Sequence, residues 1–279
     1  MSLNIYKIGA RVHDVIKYTS FLEKELKNSQ LEVVQLTLPK FLTTDEVGTI
    51  DDTKLQEIKE VFQRQNIDIK VLSCYINPLA EDYEAQQQLF IRYIDYAKKI
   101  GVKIVGTETG TVVANYYDYF EKNHTEEIFC RLIRFMTPLI EYASSQGILV
   151  GIETVKYFPV CNVDTFDKFL RAFEEGAICS IFDPTNLLYI GNYEKQCEIF
   201  EKFVSIHAKH IKVVHLKDFI IENNQLKECA LFEGMLNVDH VIKLLKKYNV
   251  EADIVIELAT SLENYKETRK KIKEMIQRG

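Results

Sequence analysis

The 279-residue sequence has no tryptophan and only five prolines, and it contains no long apolar run. A membrane-spanning helix needs about 18 or more consecutive apolar residues, so we expect no membrane partner. Positive charge is also scarce, because 35 lysines and arginines face 41 aspartates and glutamates. Surfaces that bind nucleic acid or anionic membranes need concentrated positive charge, so the net charge of −6 disfavours both.

Cysteine spacing and the first residues exclude further classes. The six cysteines form no C-x-x-C pair, which argues against a thiolate zinc site and against a disulfide framework. The opening stretch MSLNIYKIGARVHD has no basic segment followed by an apolar one, so we expect no signal peptide. Reduced thiols without a leader predict a cytoplasmic protein.

The chain does contain a regular alternation of two patterns. Short apolar, β-branched runs are separated by longer segments with helical periodicity, such as 52–65, 86–100 and 126–147. Eight such units predict a parallel sheet with helices outside, closed as an α/β (β/α)8 TIM barrel. No linker divides the chain, so we predict a single domain over residues 1–279. The strand-like runs are 4–12, 31–38, 69–76, 102–108, 148–155, 178–183, 211–218 and 252–259.

A doubly wound open sheet is the structural alternative. Its dinucleotide-binding form needs G-x-G-x-x-G after the first strand, which this sequence lacks. Gly101 marks the end of one predicted helix. A later predicted helix begins at Asn162 or Asp164 and ends at Gly176. Residues 219–234 are predicted to form an inserted loop over one end of the barrel.

The last four strand-like runs each carry a polar residue at or near the C-terminal end. Glu153, Asp183, His215 and Glu257 follow one another at intervals of 30, 32 and 42 residues. One repeat per residue brings all four side chains to the C-terminal mouth, where such barrels carry their chemistry. Three carboxylates and an imidazole resist desolvation together unless a cation neutralises them, which predicts a metal site. Oxygen-rich ligands without sulfur favour one divalent ion, Mn²⁺ first, with Mg²⁺, Co²⁺ or Zn²⁺ as alternatives.

The motifs GIETV, FDPTN, HLKD and VIEL, in this order and spacing, resemble the xylose isomerase-like TIM-barrel superfamily. That superfamily includes sugar isomerases, ketose 3-epimerases, inosose dehydratases and endonuclease IV, and the resemblance covers essentially the whole chain. It implies that Glu153, Asp183, His215 and Glu257 hold one divalent ion, and that the two glutamates also transfer protons. The segment FEGMLNVDHVI is similar to a G-E-G loop, but Phe232 replaces its first glycine, so a different local backbone is expected.

The resemblance implies a metal-dependent isomerase or epimerase acting on a sugar or sugar phosphate. Proton removal beside a carbonyl would give a metal-stabilised enediolate, and a second carboxylate would return the proton on the opposite face. Glu108, Lys156, Asn186 and Asp218 are further candidates for substrate binding. Asn186 equally fits a turn, and Asp218 could instead orient His215 or cap the following segment.

Other polar and aromatic residues are expected to have structural roles. Lys217 is predicted to be solvated, and His207 and His210 are predicted to lie on the surface. Most tyrosines and phenylalanines are expected to pack in the core or on the barrel wall. A few lie near strand ends and could form an apolar wall for a sugar ring, namely Tyr75, Tyr157, Phe158 and Tyr189.

Three other functions stay open at this point. A dehydratase acting on a keto-polyol such as an inosose would use the same metal and the same first proton abstraction. An endonuclease IV-like nuclease is disfavoured, because it needs a histidine three residues after the sixth-strand aspartate, where this chain has Asn186. A non-catalytic sugar-binding barrel would not require two carboxylates facing one carbon. Relatives often form dimers or tetramers, so a homo-oligomer is also an expectation.

Overall fold

The computed structural model describes residues 6–42, 50–115 and 118–278. Within them, eight parallel strands close into a barrel, and two further strands form an antiparallel hairpin. The strands are β1 (Ile8–Arg11), β2 (Val33–Leu36), β3 (Asp68–Ser73), β4 (Ile104–Thr107), β5 (Leu149–Glu153), β6 (Ile178–Phe182), β7 (Ile211–Leu216), β8 (Asp218–Glu222), β9 (Gln225–Cys229) and β10 (Asp253–Ile256). The ring order is β1-β10-β7-β6-β5-β4-β3-β2.

Helices cover the outside of the barrel between successive strands. They are α1 (Val12–Val15), α2 (Leu22–Asn28), α3 (Leu38–Leu42), α4 (Asp52–Arg64), α5 (Tyr83–Ile100), α6 (Glu126–Ser145), α7 (Val163–Leu170), α8 (Gln196–His207), α9 (Val238–Lys247) and α10 (Leu262–Arg278). Short 3₁₀ turns occupy Glu121–His124, Thr185–Leu187, Tyr193–Lys195 and Ala208–His210. None of the helices in the described part of the chain combines the length and apolar character that a membrane crossing requires.

The predicted fold is confirmed, because every strand-like run contains one strand of the closed barrel. Ring closure excludes the open-sheet alternative. It is made by β1, which pairs in parallel with β10 on one side and with β2 on the other. Unpaired strand edges, which invite association with other chains, are thereby absent from the main sheet of the described residues.

Helix ends follow the sequence signals in two cases and depart from them in one. Gly101 ends α5 with a φ of 81°, a left-handed conformation that glycine adopts without strain. Asn162 begins α7 and forms a capping box with Thr165. The same helix ends at Leu170 rather than at Gly176, because the backbone after it tightens into i→i+3 bonds, including one from Ala172 to Phe169.

The barrel interior is packed with small and branched side chains. Its central cluster consists of Val71, Ile104, Cys179, Ile181, Val213 and Val255. A Cβ atom at Gly151 would lie 2.8 Å from Ile104 Cγ2, so glycine is needed there for the opposite side chains to meet. Strand residues two positions further along point to the same side as these core residues. Above this cluster, the inward positions therefore carry the polar residues of the mouth.

The predicted inserted loop at 219–234 is in fact mostly the hairpin β8–β9. Asp218 starts the hairpin and holds the segment that follows it: its carboxylate accepts hydrogen bonds from four backbone amides, of Phe219, Phe232, Gly234 and Leu236, at 2.7–3.1 Å. Phe232 has a φ of 72°, so it keeps the left-handed backbone that a glycine would favour.

Candidate metal centre and substrate cavity

The four residues predicted as ligands lie together at the C-terminal mouth of the barrel. Glu153 is the last residue of β5, and His215 is the penultimate residue of β7. Asp183 and Glu257 directly follow β6 and β10. Each has the inward orientation of the core residue two positions before it, and all four are at most 3% exposed.

Three of the four form a compact group. One ligand atom each from Glu153, Asp183 and His215 lies within 4.8 Å of the others. Glu257 stands outside that group but is close to it, with its Oε1 3.2 Å from His215 Nδ1. Glu153 Oε1 lies 3.5 Å from the same nitrogen. The imidazole is therefore flanked by two carboxylates.

The other side of the imidazole is fixed by Gln35, which sequence reasoning missed. Gln35 Oε1 accepts a hydrogen bond from His215 Nε2, while Gln35 Nε2 donates to Tyr75 Oη at 3.0 Å. A proton on Nε2 leaves Nδ1 with a free lone pair directed at the carboxylates. Such a second partner fixes the ring orientation and tautomer of a metal-binding histidine.

The donor set fits a divalent cation. Within the described residues, His215 Nδ1 and Asp183 Oδ2 are buried atoms that make no hydrogen bond. Asp183 Oδ2 has only its ion pair with Lys217, and His215 Nδ1 faces the oxygens of Glu153 and Glu257, so the three side chains converge on a point where a divalent cation would satisfy their donor atoms. Asp183 Oδ1 accepts from Asn186 N at 3.1 Å, which fixes the carboxylate in the turn that follows β6.

Two cations of the chain already balance part of this negative charge. Lys217 is 5% exposed, and its Nζ lies 2.8 Å from Asp183 Oδ2 and 3.2 Å from Glu257 Oε2. Arg11 Nη1 lies 3.5 Å from Glu257 Oε1. The prediction of a solvated Lys217 was wrong, since a residue two positions after His215 faces the same interior side.

Proton affinities within the group reflect this crowding. Burial raises the pKa of Asp183 to about 6 against the opposing effect of Lys217. Burial disfavours charged His215, but the neighbouring carboxylates, Glu257 first, outweigh it and raise the pKa of the imidazole. Burial likewise opposes ionisation of Glu257, yet the surrounding cations, Arg11 first, hold its pKa well below the ordinary value.

A cavity of about 440 Å³ opens above the group. Three predicted substrate-binding residues, Glu108, Lys156 and Asn186, line it together with Glu153 and Glu257. Burial, followed by repulsion from Glu153, raises the pKa of Glu108 to about 8. Asn186 also donates from Nδ2 to Glu153 Oε1 at 2.6 Å, so it positions that glutamate as well as forming the turn.

Several residues of this wall were not identified from the sequence. The cavity is also lined by Arg11, Lys40, Lys217 and Glu228, the last contributed by the hairpin. Glu228 Oε1 lies 3.4 Å from Lys217 Nζ. Arg11 could have been predicted from the sequence, because the alternation of side chains along β1 directs it to the barrel interior. Glu228 could not, because nothing in the sequence pattern places β9 over the mouth. Three aromatic residues predicted for an apolar wall, Tyr75, Tyr157 and Phe158, do line the cavity.

Two other predicted placements differ from the structure. Asp218 does not line the cavity, and its oxygens are engaged by backbone amides, so its geometry matches a loop-ordering role rather than substrate contact. His207 is 2% exposed and lies edge-on to Phe166 and Phe203, which corrects its predicted surface position. His210, by contrast, is partly exposed in the 3₁₀ turn that follows α8. Residues 43–49 lie outside the described residues, so the segment between α3 and α4 is described only at its ends.

Comparison with known proteins gives a consistent fold. A family profile described as "xylose isomerase-like TIM barrel" matches residues 25–275. A comparison with curated protein sequences finds no match. Among solved structures, a xylose isomerase domain protein from Planctomyces limnophilus is 14% identical, with 98% of each chain covered and a TM-score of 0.76.

Two further solved structures are similarly close. A D-tagatose 3-epimerase-like protein is 16% identical over 97% of each chain, with a TM-score of 0.76. A xylose isomerase-like TIM-barrel protein from Mycobacterium smegmatis, solved in complex with magnesium, is 16% identical over 97% of this chain and 96% of that one, with a TM-score of 0.72. At these identities the structural likeness establishes the fold.

Proposed function

The chain belongs to the xylose isomerase-like TIM-barrel family, and on that premise we propose that it is a divalent-metal-dependent isomerase or epimerase of a sugar or sugar phosphate. The observation that carries the proposal is the buried group of Glu153, Asp183 and His215 at the base of the mouth cavity. Among the described residues, His215 Nδ1 in this group has no hydrogen-bond partner, and Asp183 Oδ2 has only its ion pair with Lys217.

Glu153, Asp183 and His215 would hold the ion, with Glu257 adjacent to them. A bound Mn²⁺ or Mg²⁺ would supply Lewis acidity toward a carbonyl oxygen of the sugar. Gln35 keeps the Nδ1 lone pair of His215 available, and Asn186 fixes Glu153 by its 2.6 Å hydrogen bond. These two neutral partners orient the donor set without adding charge to it.

The chain's own carboxylates would move the proton. Glu257 is held ionised by Arg11 and Lys217, so it can accept a proton from a carbon next to the carbonyl. Glu153, on β5, is separated from Glu257 by β6 and β7 around the ring, so the two can flank one substrate. Lys217 and Arg11 add fixed positive charge to the wall, where it stabilises the anion that forms.

Dehydration of a keto-polyol is the second candidate, and Glu108 is the observation that favours it. Its pKa of about 8 keeps this cavity-lining carboxyl protonated at neutral pH. A protonated carboxyl beside the substrate could donate to a departing hydroxyl after the shared proton abstraction. The same group could instead donate a hydrogen bond to a substrate hydroxyl without any elimination.

Solvent exchange tests the proposal before the substrate is identified. The purified protein, with its metal content determined, is incubated in D₂O with a panel of ketoses, ketose phosphates and inososes. NMR then follows deuterium incorporation at carbon, which reports the proton abstraction common to both candidates. An absorbing enone or dione product indicates the dehydratase, and an exchanged sugar without water loss indicates the isomerase or epimerase.

Glu257→Gln is the decisive variant. It keeps the size of the side chain and removes the base, so we expect exchange to fall by at least about 100-fold. Glu201→Gln, on the exposed outer face of α8, is the matched control and should keep normal exchange. Exchange that survives in Glu257→Gln would remove Glu257 from the proton-transfer role, and absence of exchange with every sugar would reject the proposed reaction.

A further inference from the structure

A second cavity of about 720 Å³ adjoins the one above the metal centre. The two cavities share Lys156 and Tyr157 in their walls, so a ligand can extend from one into the other. The second cavity is larger than the first, and the proton-transfer carboxylates do not line it. Its space is therefore unused by a free monosaccharide seated at the metal centre.

The second cavity is lined by a connected set of aromatic rings, which we name the aromatic annex: Tyr119, His124, Tyr157 and Tyr189. Tyr119 stacks on His124 at 5.3 Å between ring centroids and meets Tyr157 edge-on at 5.7 Å. Tyr157 contacts Tyr189 at 6.1 Å. Tyr119 and Tyr189 are 61% and 40% exposed.

Tyr157 is held in the annex by an unusual backbone. Its φ is 73°, a left-handed value that costs free energy for a residue with a side chain. Asn123, which is 1% exposed, donates from Nδ2 to the Tyr157 carbonyl at 2.9 Å and to Thr111 Oγ1 at 2.7 Å. A buried amide thus stabilises the strained residue at the junction of the two cavities.

Tyr189 is positioned by a second, independent device. Asn192 Oδ1 accepts from Tyr189 N at 2.7 Å, and its Nδ2 donates to Leu187 O at 3.1 Å. A Cβ atom at Gly191 would lie 2.7 Å from the Tyr189 ring, so only glycine leaves the ring in its place. Because the backbones of Tyr157 and Tyr189 are each fixed in this way, these two rings indicate a preformed binding wall.

The junction carries a cation that is available to a ligand. Lys156 Nζ makes no hydrogen bond or ion pair with the rest of the described residues, and burial lowers its pKa. Lys202, the other lysine that lines the second cavity, forms an ion pair with Asp164, and its Nζ lies 2.9 and 3.1 Å from the two carboxylate oxygens. A polar linkage between two ligand rings would therefore meet Lys156.

We propose that the aromatic annex binds a second ring of the substrate, so that the enzyme acts on a sugar linked to another ring rather than on a free monosaccharide. The second ring needs an apolar face to pack on the tyrosines, which a pyranose and an aryl group both offer. The reacting sugar occupies the cavity at the metal centre, and the linkage lies beside Lys156. This inference rests on the proposed function for the placement of the reacting sugar.

Binding of one-ring and two-ring ketoses tests the annex without requiring turnover. Calorimetry on the Mg²⁺-loaded protein compares D-fructose with lactulose and isomaltulose, whose second ring is a pyranose, and with 6-O-benzyl-D-fructose. Saturation-transfer NMR shows which ring contacts the protein. We expect at least one two-ring probe to bind about fivefold to tenfold more tightly than D-fructose, with saturation of its second ring.

Tyr119→Ala and Tyr189→Ala should abolish that preference and leave D-fructose binding as it was. Both side chains are well exposed, so these variants should fold, and Tyr83→Ala on the outer face of α5 is the matched control. Preference for the benzyl or for the pyranose probes identifies the chemistry of the second ring. The proposal is overturned if no two-ring probe is preferred, or if the preference survives both variants.

The two proposals fail separately. A two-ring preference without deuterium exchange in any sugar would reject the proposed reaction and retain the annex. Exchange in D-fructose without any two-ring preference would retain the reaction and reject the annex.

Discussion

At the scale of single residues, the candidate metal centre depends on uncharged side chains that orient its ligands. Gln35 is completely buried on β2 and reaches across the barrel to His215 Nε2. It therefore determines which imidazole nitrogen faces the carboxylates. Nothing in the sequence marks Gln35, because a glutamine in an apolar strand has no spacing relation to a histidine 180 residues later.

Gln35→Leu removes the acceptor while conserving most of the volume. We expect metal affinity to fall by about 10-fold to 100-fold, because the histidine loses its fixed tautomer and orientation. Isothermal titration with Mn²⁺ measures the loss, and circular dichroism checks that the fold is kept. Gln35→Glu restores an acceptor opposite Nε2 and should recover part of the affinity. Equal affinity in Gln35→Leu and the unchanged protein would show that Gln35 has no such role.

Metal binding should release protons in mildly acidic solution. The pKa of Asp183 is raised to about 6 and that of His215 is also raised, so both hold protons at pH 5.5. A metal needs both groups deprotonated, and its affinity therefore rises with pH through this window, by about tenfold per pH unit for each proton released. Titrations at pH 5.5, 6.5 and 7.5 in buffers of different ionisation enthalpy count the protons. An affinity that is constant over this range would contradict the assignment of these two ligands.

At the scale of elements, the hairpin β8–β9 changes the composition of the mouth. It brings Glu228 to Lys217 and depends on Asp218, whose four backbone partners tie the hairpin to the segment before α9. Gly234 is required in that segment, because a Cβ atom there would lie 2.1 Å from Phe219 O. The element is thus built around one buried carboxylate.

Asp218→Asn separates a structural role from a substrate role. The amide group would face backbone N–H donors with a donor of its own, and we expect a loss of about 2–4 kcal/mol in the free energy of unfolding. Urea denaturation measures it, with Asp239→Asn at the exposed start of α9 as the control. Unchanged stability combined with a raised KM would instead support substrate contact by Asp218.

At the scale of the whole molecule, the seam between the first and last units completes the barrel. Tyr265 on α10 is fully buried, and its hydroxyl donates to Ile8 O at 3.0 Å. Glu32, near the start of β2, forms ion pairs with Arg269 and Lys273 of the same helix. The C-terminal helix α10 therefore fixes β1, the strand that closes the barrel by pairing with both β10 and β2.

Tyr265→Phe and Tyr265→Ala test the seam in two steps. We expect the first to cost about 1 kcal/mol of unfolding free energy by loss of the hydrogen bond, and the second about 3–5 kcal/mol by creation of a cavity. Denaturation curves give both values, and hydrogen exchange should increase in β1 and β10 together. If Tyr265→Ala exposed only α10 to exchange, the helix would be a peripheral attachment rather than part of the closure.

The sequence alone predicted the barrel, its eight strands and the group of Glu153, Asp183 and His215 that meets at its mouth. It could do so because alternating βα units and inward parity are local patterns, and because polar residues at strand ends stand out against an apolar background. It also contained the signal for Lys217, two positions after His215, which was misinterpreted. Those are properties that one strand carries by itself.

Only the tertiary structure decided which residues contact the centre from elsewhere in the ring. The contacts of Gln35 with His215, of Arg11 with Glu257 and of Glu228 with Lys217 depend on ring closure and on the folding of a hairpin over the mouth. The burial of Asp218 depends on loops whose backbone follows no periodic pattern. The same is true of the aromatic annex beside the first cavity. Contacts between distant segments arise from closure and packing in three dimensions, and the periodicity of a single chain does not encode them.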